Sequence, residues 1–276
     1  MANWLKNTTV IITGASGGIG KGIAMKLIEK YNCTVIGIAR NEEKMQKVVN
    51  ELGEKAYKFS YQLFDVSKEE NWENFAKYLT ENNIKPDVLI NNAGILPKFN
   101  KFGNYSIDYI KNAMDIDFYS AVYSMHHLIP ILLQSSKAAI INVSSSAALC
   151  TLAGTSVYSA SKSAVKSLTE AVREEYRGKI YTAVVCPGFT KTDIFSSQEE
   201  NADFSNKVMD MISSSCESMV KKIVKGIASK KEFMVLGIDS ELMNIGNRLA
   251  QVETSKISSK VMKAVKVSLF ADIFKK

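Results

Sequence analysis

Apolar and polar positions along the chain alternate between two periods. Residues 8–13, "TTVIIT", are a short β-branched run closed by glycines, the pattern of a buried strand. "GGIGKGIAMKLIEKY" then carries Ile19, Ile23, Leu27 and Ile28 at helical spacing. "CTVIGIA" predicts a second strand, and "NEEKMQKVVNELG" a second helix with Asn41 as N-cap and Gly53 as terminator. "AYKFSYQLFDV" reads as a strand, and "SKEENWENFAKYLTENN" as a helix opened by a serine cap with acids in its first turn.

The alternation continues to the C-terminal part. "PDVLINNAG" is a strand, residues 106–135 a long helical stretch, and "AAIINVSS" a strand. "VYSASKSAVKSLTEAVREEY" is a helix, "KIYTAVVCPG" a strand, residues 217–229 a helix and "KEFMVLG" the last strand. Strands separated by helices imply parallel pairing through right-handed crossovers. The predicted fold is therefore α/β: one Rossmann-type, doubly wound parallel sheet with helices on both faces. It spans residues 1–239, and a basic amphipathic helical extension follows over 240–276. In such sheets ligands bind at the carboxyl ends of the strands, where strand order reverses.

Composition narrows the function. With 276 residues, 46% hydrophobic and 23% charged, the chain is ordinary for a globular protein. No apolar run approaches the ~20 residues that cross a bilayer. "MANWLKNTTVIITG" lacks the features of a signal peptide, so a cytoplasmic start is expected. Cys33, Cys150, Cys186 and Cys216 are scattered singly, and His126 and His127 are adjacent, so neither a metal site nor a disulfide framework is expected. Net charge is +7, but from Ser240 onward seven bases face three acids, leaving the rest nearly balanced. No broad basic face points to nucleic acid.

The candidate chemistry sits at the strand ends. "TGASGGIG" places glycines at 14, 17, 18 and 20 after a strand and before a helix, where backbone and helix N-terminus meet a pyrophosphate. At the end of the second strand, "GIARNEEK" offers Arg40 and no acid before Glu42. A guanidinium there suits a 2′-phosphate, so NADP(H) is expected over NAD(H). In "VYSASKSA", Tyr158 and Lys162 lie one helical turn apart. A nearby ammonium lowers a phenol's pKa towards the working range of an acid–base catalyst.

"TGASGGIG", "DV" at 65–66, "NNAG" at 91–94, "VSS" at 143–145, "YSASK" at 158–162 and "PG" at 187–188 occur in one order over about residues 8–240. In this the chain resembles the short-chain dehydrogenases/reductases, single-domain branch. The resemblance implies an oxidoreductase interconverting a ketone and a secondary alcohol. Tyr158 is then the general acid/base, Lys162 the partner that holds the nicotinamide ribose, and Ser145 the serine that binds the substrate carbonyl. Gly14, Ser16, Gly18, Ile19 and Gly20 meet the pyrophosphate, Asp65 and Val66 the adenine, and Asn92 and Gly94 the region of its ribose. Pro187, Gly188 and Thr192 lie near the nicotinamide. The resemblance also implies a homodimer or homotetramer.

One position departs from the family pattern. Asp117 in "MDIDFYSAVYSM" stands where many members carry an asparagine that supports a water relay to the lysine. A carboxylate accepts but does not donate hydrogen bonds. Three outcomes stay open: a neutral replacement, a slowed reaction or a moved pH optimum.

Substrate choice in this family lies in a lid, here about 189–218, and in the segment after Ser145. Leu149, Leu152, Phe195, Phe204, Val208, Met209, Met211 and Ile212 make these stretches apolar. A lipophilic ketone or alcohol, such as a hydroxysteroid or bile acid, is expected. A 3-oxoacyl reductase and a low-turnover NADP(H)-binding regulator are the alternatives. In the extension, Ile257, Val261, Ala264, Val265, Leu269 and Phe270 oppose Lys256, Lys260, Lys263 and Lys266. Packing on the body is the leading reading for this helix, ahead of membrane contact.

Overall fold

The computed structural model describes residues 3–192, 213–264 and 273. Seven strands form one parallel sheet: β1 (Thr9–Thr13), β2 (Thr34–Ala39), β3 (Phe59–Leu63), β4 (Val88–Asn91), β5 (Ala139–Val143), β6 (Tyr181–Pro187) and β9 (Phe233–Leu236). Their order is β3-β2-β1-β4-β5-β6-β9, so strand order reverses between β1 and β4. A second, two-residue parallel ladder joins β7 (Thr190–Lys191) to β8 (Ser214–Ser215).

Both faces of the sheet are covered, which is why its strands read as continuous apolar runs. Val10 and Ile12 of β1 point into one core, with Ile23 and Leu27 of α1 (Gly18–Tyr31) and Ile223 and Ile227 of α7 (Cys216–Ala228). Ile11, between them, points into the other. There it meets Trp72 and Phe75 of α3 (Glu69–Glu81), Leu128 of α5 (Ser120–Leu132) and Val172 of α6 (Ser156–Glu175).

Local signals set several boundaries as expected. The Asn41 side chain accepts from Lys44 N at 2.8 Å, capping α2 (Glu42–Leu52), and Gly53 ends that helix at φ +53°. Others differ. Residues 53–58 wind into a 3₁₀ turn, so β3 begins only at Phe59. Ser67 does not cap α3: its N–H and hydroxyl both donate to Asp65 Oδ1, and Lys68 holds the cap position without a side-chain bond. The 106–135 stretch is α4 (Ile107–Met114), a π-helical turn over Asp115–Tyr119, then α5.

The C-terminal helix α8 runs over Ile238–Ala264 and breaks at Ala250. Its first turn is part of the body, with Asp239 and Ser240 buried. Farther along, Leu242, Ile245, Leu249, Ile257 and Val261 are exposed, so the described part of the extension does not bury this apolar face. No helix among the described residues is long and apolar enough to cross a membrane.

Candidate active site

A cleft of ≈ 310 Å³ opens where strand order reverses, at the carboxyl ends of the parallel strands. Its floor is the turn between β1 and α1. Gly14 (φ +68°) and Gly18 (φ +51°) adopt left-handed backbone there, which only glycine takes without strain. At Gly20 the constraint is space: a Cβ would overlap Gly14 O and lie 2.5 Å from Asn92 Nδ2. Gly20 thus shapes the turn from behind without lining the cleft. The Thr13 hydroxyl accepts from the backbone N–H of Asn92 and of Ala93, each at 2.9 Å, and Asn92 Nδ2 donates to Thr13 O at 3.0 Å. These bonds lock the ends of β1 and β4 around the turn. Small residues, N–H groups at the start of α1 that no side chain caps and no acid in its first turn suit a dinucleotide pyrophosphate.

The β2 end of the cleft carries Arg40 and, from the first turn of α2, Lys44. Lys44 was not among the sequence candidates, although its spacing from Arg40 in "RNEEK" was the available signal. Together they form a cationic corner able to hold a phosphate monoester. Asp65 and Val66 form the neighbouring wall. Burial tends to raise the Asp65 carboxyl, but the Ser67 N–H and hydroxyl, with Arg40 and Lys68, hold it below the usual range. Ser16, Ile19, Gly94, Pro187 and Thr192 also line the cleft.

Tyr158 and Lys162, on α6, reach the other end of the cleft. Ser144 anchors their helix by donating to Lys162 O at 2.7 Å. Deeper, Asn91 Nδ2 donates to Asn142 Oδ1 at 2.8 Å, and Asn142 Nδ2 donates to Thr169 Oγ1 at 2.9 Å, tying β4, β5 and α6 together. Ser145 caps a short 3₁₀ turn (Ser146–Ala148), accepting from Ala147 N at 3.2 Å, and its side chain also bonds Tyr158.

Asp117 lies behind the cleft wall, in the π turn, and is buried. Ile95 N donates to its Oδ1 at 2.7 Å and Ser161 Oγ to its Oδ2 at 3.1 Å. A Cβ at Gly94 would sit 2.9 Å from Lys162 Nζ and 3.0 Å from Asp117 Oδ1, so a side chain there would crowd both groups. Burial pushes the Asp117 carboxyl up, against the pull of Lys162, Ile95 N–H and Ser161.

The Tyr158 phenol shifts opposite to the sequence expectation. Burial raises it above its ordinary range, the Asp117 charge raises it further, and the Ser145 hydrogen bond opposes both. The Lys162 Nζ stands 5.8 Å from the Tyr158 ring centroid and its charge faces Asp117. The neutral phenol is therefore the stable form near neutral pH.

A second, smaller cavity of ≈ 100 Å³ adjoins the first. Ser145 and Tyr158 are among its polar groups, and Leu96, Phe99, Leu152, Phe189 and Met243 form apolar walls. Gly188 lines this cavity and not the larger cleft. Ile19, Tyr158, Pro187 and Thr192 line both. Leu149, expected near substrate, instead packs on Val184 and Cys186 in the core. Met243, on α8, was missed because it follows the last strand. Of the predicted lid, Phe195, Phe204, Val208, Met209, Met211 and Ile212 lie outside the described residues.

Comparison with known proteins places this geometry in context. The family described as "short chain dehydrogenase" matches residues 8–203. An NADPH-dependent pterin aldehyde reductase of Arabidopsis thaliana is 31% identical over 189 residues, 68% of this chain and 77% of that protein. A cyclohexanol dehydrogenase of Acinetobacter sp. (strain SE19) is 32% identical over 201 residues, 72% of this chain and 80% of that one. A short chain dehydrogenase from Shigella flexneri 2a str. 301, solved in complex with NADP, superposes with a TM-score of 0.74 at 23% identity, covering 86% of this chain and 98% of its own. At that identity the superposition is evidence of shared fold.

Proposed function

This chain belongs to the short chain dehydrogenase family, and from that premise we propose that it uses NADP(H) to interconvert a lipophilic ketone and its secondary alcohol. The observation that carries the proposal is the position of Tyr158, which lines both the glycine-floored cleft and the apolar cavity. One hydroxyl thus faces the place of a dinucleotide and the place of an apolar substrate.

The residues fit the cofactor. Gly14 and Gly18 line the cleft where a pyrophosphate would lie, Gly20 supports their turn from behind, and Arg40 with Lys44 offers donors to a 2′-phosphate. Lys162 and Thr192 border the nicotinamide end. Bound NADPH supplies the hydride for carbonyl reduction. Tyr158, held neutral, donates its proton to the oxygen as negative charge grows there. Ser145 donates a hydrogen bond to the same oxygen. Lys162 lines the cleft beside Tyr158, and Asp117 lies buried behind the wall.

The apolar cavity supports a lipophilic substrate. A hydroxysteroid or bile acid belongs to the proposed class, and a compact cyclic ketone is its smaller member. The test is NADPH oxidation, followed by absorbance, with compact cyclic ketones, steroid ketones and 3-oxoacyl thioesters, each repeated with NADH. Turnover of a lipophilic ketone with NADPH preferred is expected. Tyr158→Phe should then lose at least about 10²-fold in kcat, the low end for a positioned proton donor, while binding NADPH normally. NADH preference would overturn the role given to Arg40, and NADPH binding without turnover would favour a regulatory protein.

A further inference from the structure

The loop that follows β6 lines both cavities, and one carboxylate outside them grips it. Asp239 lies in the first turn of α8, fifty residues along the chain from Phe189, yet its Oδ2 accepts from Phe189 N at 2.7 Å. Nearby, Gly188 N donates to Leu236 O at 2.7 Å and Ser240 Oγ donates to Cys186 O at 3.0 Å. The start of α8 and the end of β6 are thus held edge to edge.

The fit is tight on the loop side. A Cβ at Gly188 would overlap both carboxylate oxygens of Asp239, and one at Gly237 (φ +114°) would lie 2.6 Å from Oδ1. Both glycines leave the space the carboxylate fills. Asp239 is 6% exposed, and its Oδ1 is buried without a hydrogen-bond partner among the described residues. Burial raises its carboxyl, while backbone N–H groups, Phe189's foremost, pull it back. A buried carboxylate facing no cation among the described residues is a costly way to join two segments. Its position suggests a use beyond joining them: the peptide it fixes leads directly into Phe189, Thr190 and Thr192, which line the apolar cavity, and Thr192 also lines the cleft.

We propose that Asp239 is a positioning residue for the reaction, its carboxylate fixing the Gly188–Phe189 peptide so that the loop presents its side chains to the carbonyl substrate and the nicotinamide end of the cofactor. This rests on the oxidoreductase reading above. It also gives α8 a part in the site, because any change that shifts its first turn is transmitted to the loop.

The test compares Asp239→Asn, Asp239→Ala, Gly188→Ala and the double variant Gly188→Ala/Asp239→Ala in the full chain. Asparagine keeps an acceptor for Phe189 N in the same volume and should stay within about threefold of the unaltered chain. Alanine removes the acceptor. Displacement of substrate-positioning groups by ~1 Å can cost on the order of 10²-fold. Asp239→Ala should therefore lower kcat/KM for the ketone by about tenfold or more, mainly through KM. NADPH affinity, read by fluorescence titration, should fall less, by about threefold.

Gly188→Ala presses on the carboxylate from the loop side and should cause the same pattern of losses. Removing the carboxylate relieves the overlap, so the double variant should lose less than the product of the single losses. Melting temperature, recorded for each variant, separates stability from positioning. Asp239→Ala that melts lower yet keeps ketone KM and NADPH affinity within twofold would overturn the proposal, as would Asp239→Asn as impaired as Asp239→Ala, or multiplicative losses in the double variant. If the unaltered chain turns over no ketone, the oxidoreductase reading fails. NADPH affinity lowered in Asp239→Ala and restored in Asp239→Asn would still uphold the loop clamp, and unchanged affinity would reject it.

Discussion

At the scale of single residues, the site turns on the charge placed behind Tyr158. A phenol beside an ammonium suggests a lowered pKa, but Lys162 faces Asp117, and burial together with that carboxylate holds the phenol above its usual range. Carbonyl reduction uses the neutral phenol as donor, whereas alcohol oxidation needs the phenolate. Oxidation should therefore rise with pH on an alkaline limb. Replacing Asp117 by asparagine removes a negative charge that disfavours the phenolate, so the Tyr158 pKa falls and that limb moves to lower pH. The pH–rate profile of Asp117→Asn in the oxidative direction checks this; a limb that stays put or moves to higher pH would contradict it. Tyr158 and Lys162 were legible because helical geometry makes residues four apart neighbours. The direction of the shift was not, because it depends on Asp117, forty-one positions before Tyr158.

At the scale of elements, the β1–α1 turn is the part whose chemistry and backbone requirement coincide. Its glycines were visible in sequence, and the structure divides their work: Gly14 and Gly18 supply left-handed backbone, and Gly20 supplies clearance below Gly14 O. Gly20→Ala forces backbone against backbone, which no side-chain rotation relieves. It should cost about 1–3 kcal/mol of stability, the range for overpacking, and weaken NADPH binding at least about tenfold. Urea unfolding and fluorescence titration measure the two effects, and a fully stable variant with normal NADPH affinity would refute the assigned role. The π turn at Asp115–Tyr119 is the opposite case. An apolar stripe does not distinguish one extra residue in a turn from a regular helix, so the sequence read a single helix over 106–135.

At the scale of the whole molecule, the two cavities meet at shared walls: the cleft opens where the sheet reverses order between β1 and β4, and Ile19, Tyr158, Pro187 and Thr192 line both. A ligand held at that junction bonds only the folded chain. At a hundred times its Kd, NADPH should add about 2.7 kcal/mol to stability, raising Tm by roughly 5–11 °C for a domain of this size. NADH at the same concentration should raise it less, because it brings no 2′-phosphate to Arg40 and Lys44. Thermal unfolding with each cofactor decides this, and equal shifts would count against the cationic corner.

Ser145 was singled out by the family resemblance, whereas the alternation of strands and helices, the glycine turn and the Tyr158–Lys162 spacing were legible in the chain's own residues. Each of these is a local requirement: a period of burial, a backbone angle, a spacing along one helix. The tertiary structure alone decided what Lys44 and Met243 contribute, that Leu149 belongs to the core, that Ser67 serves Asp65 instead of capping α3, and that Asp239 grips Phe189. Those depend on which distant segments meet, and for Asp239 the meeting exists only because β9 pairs with β6 and sets the first turn of α8 beside the loop.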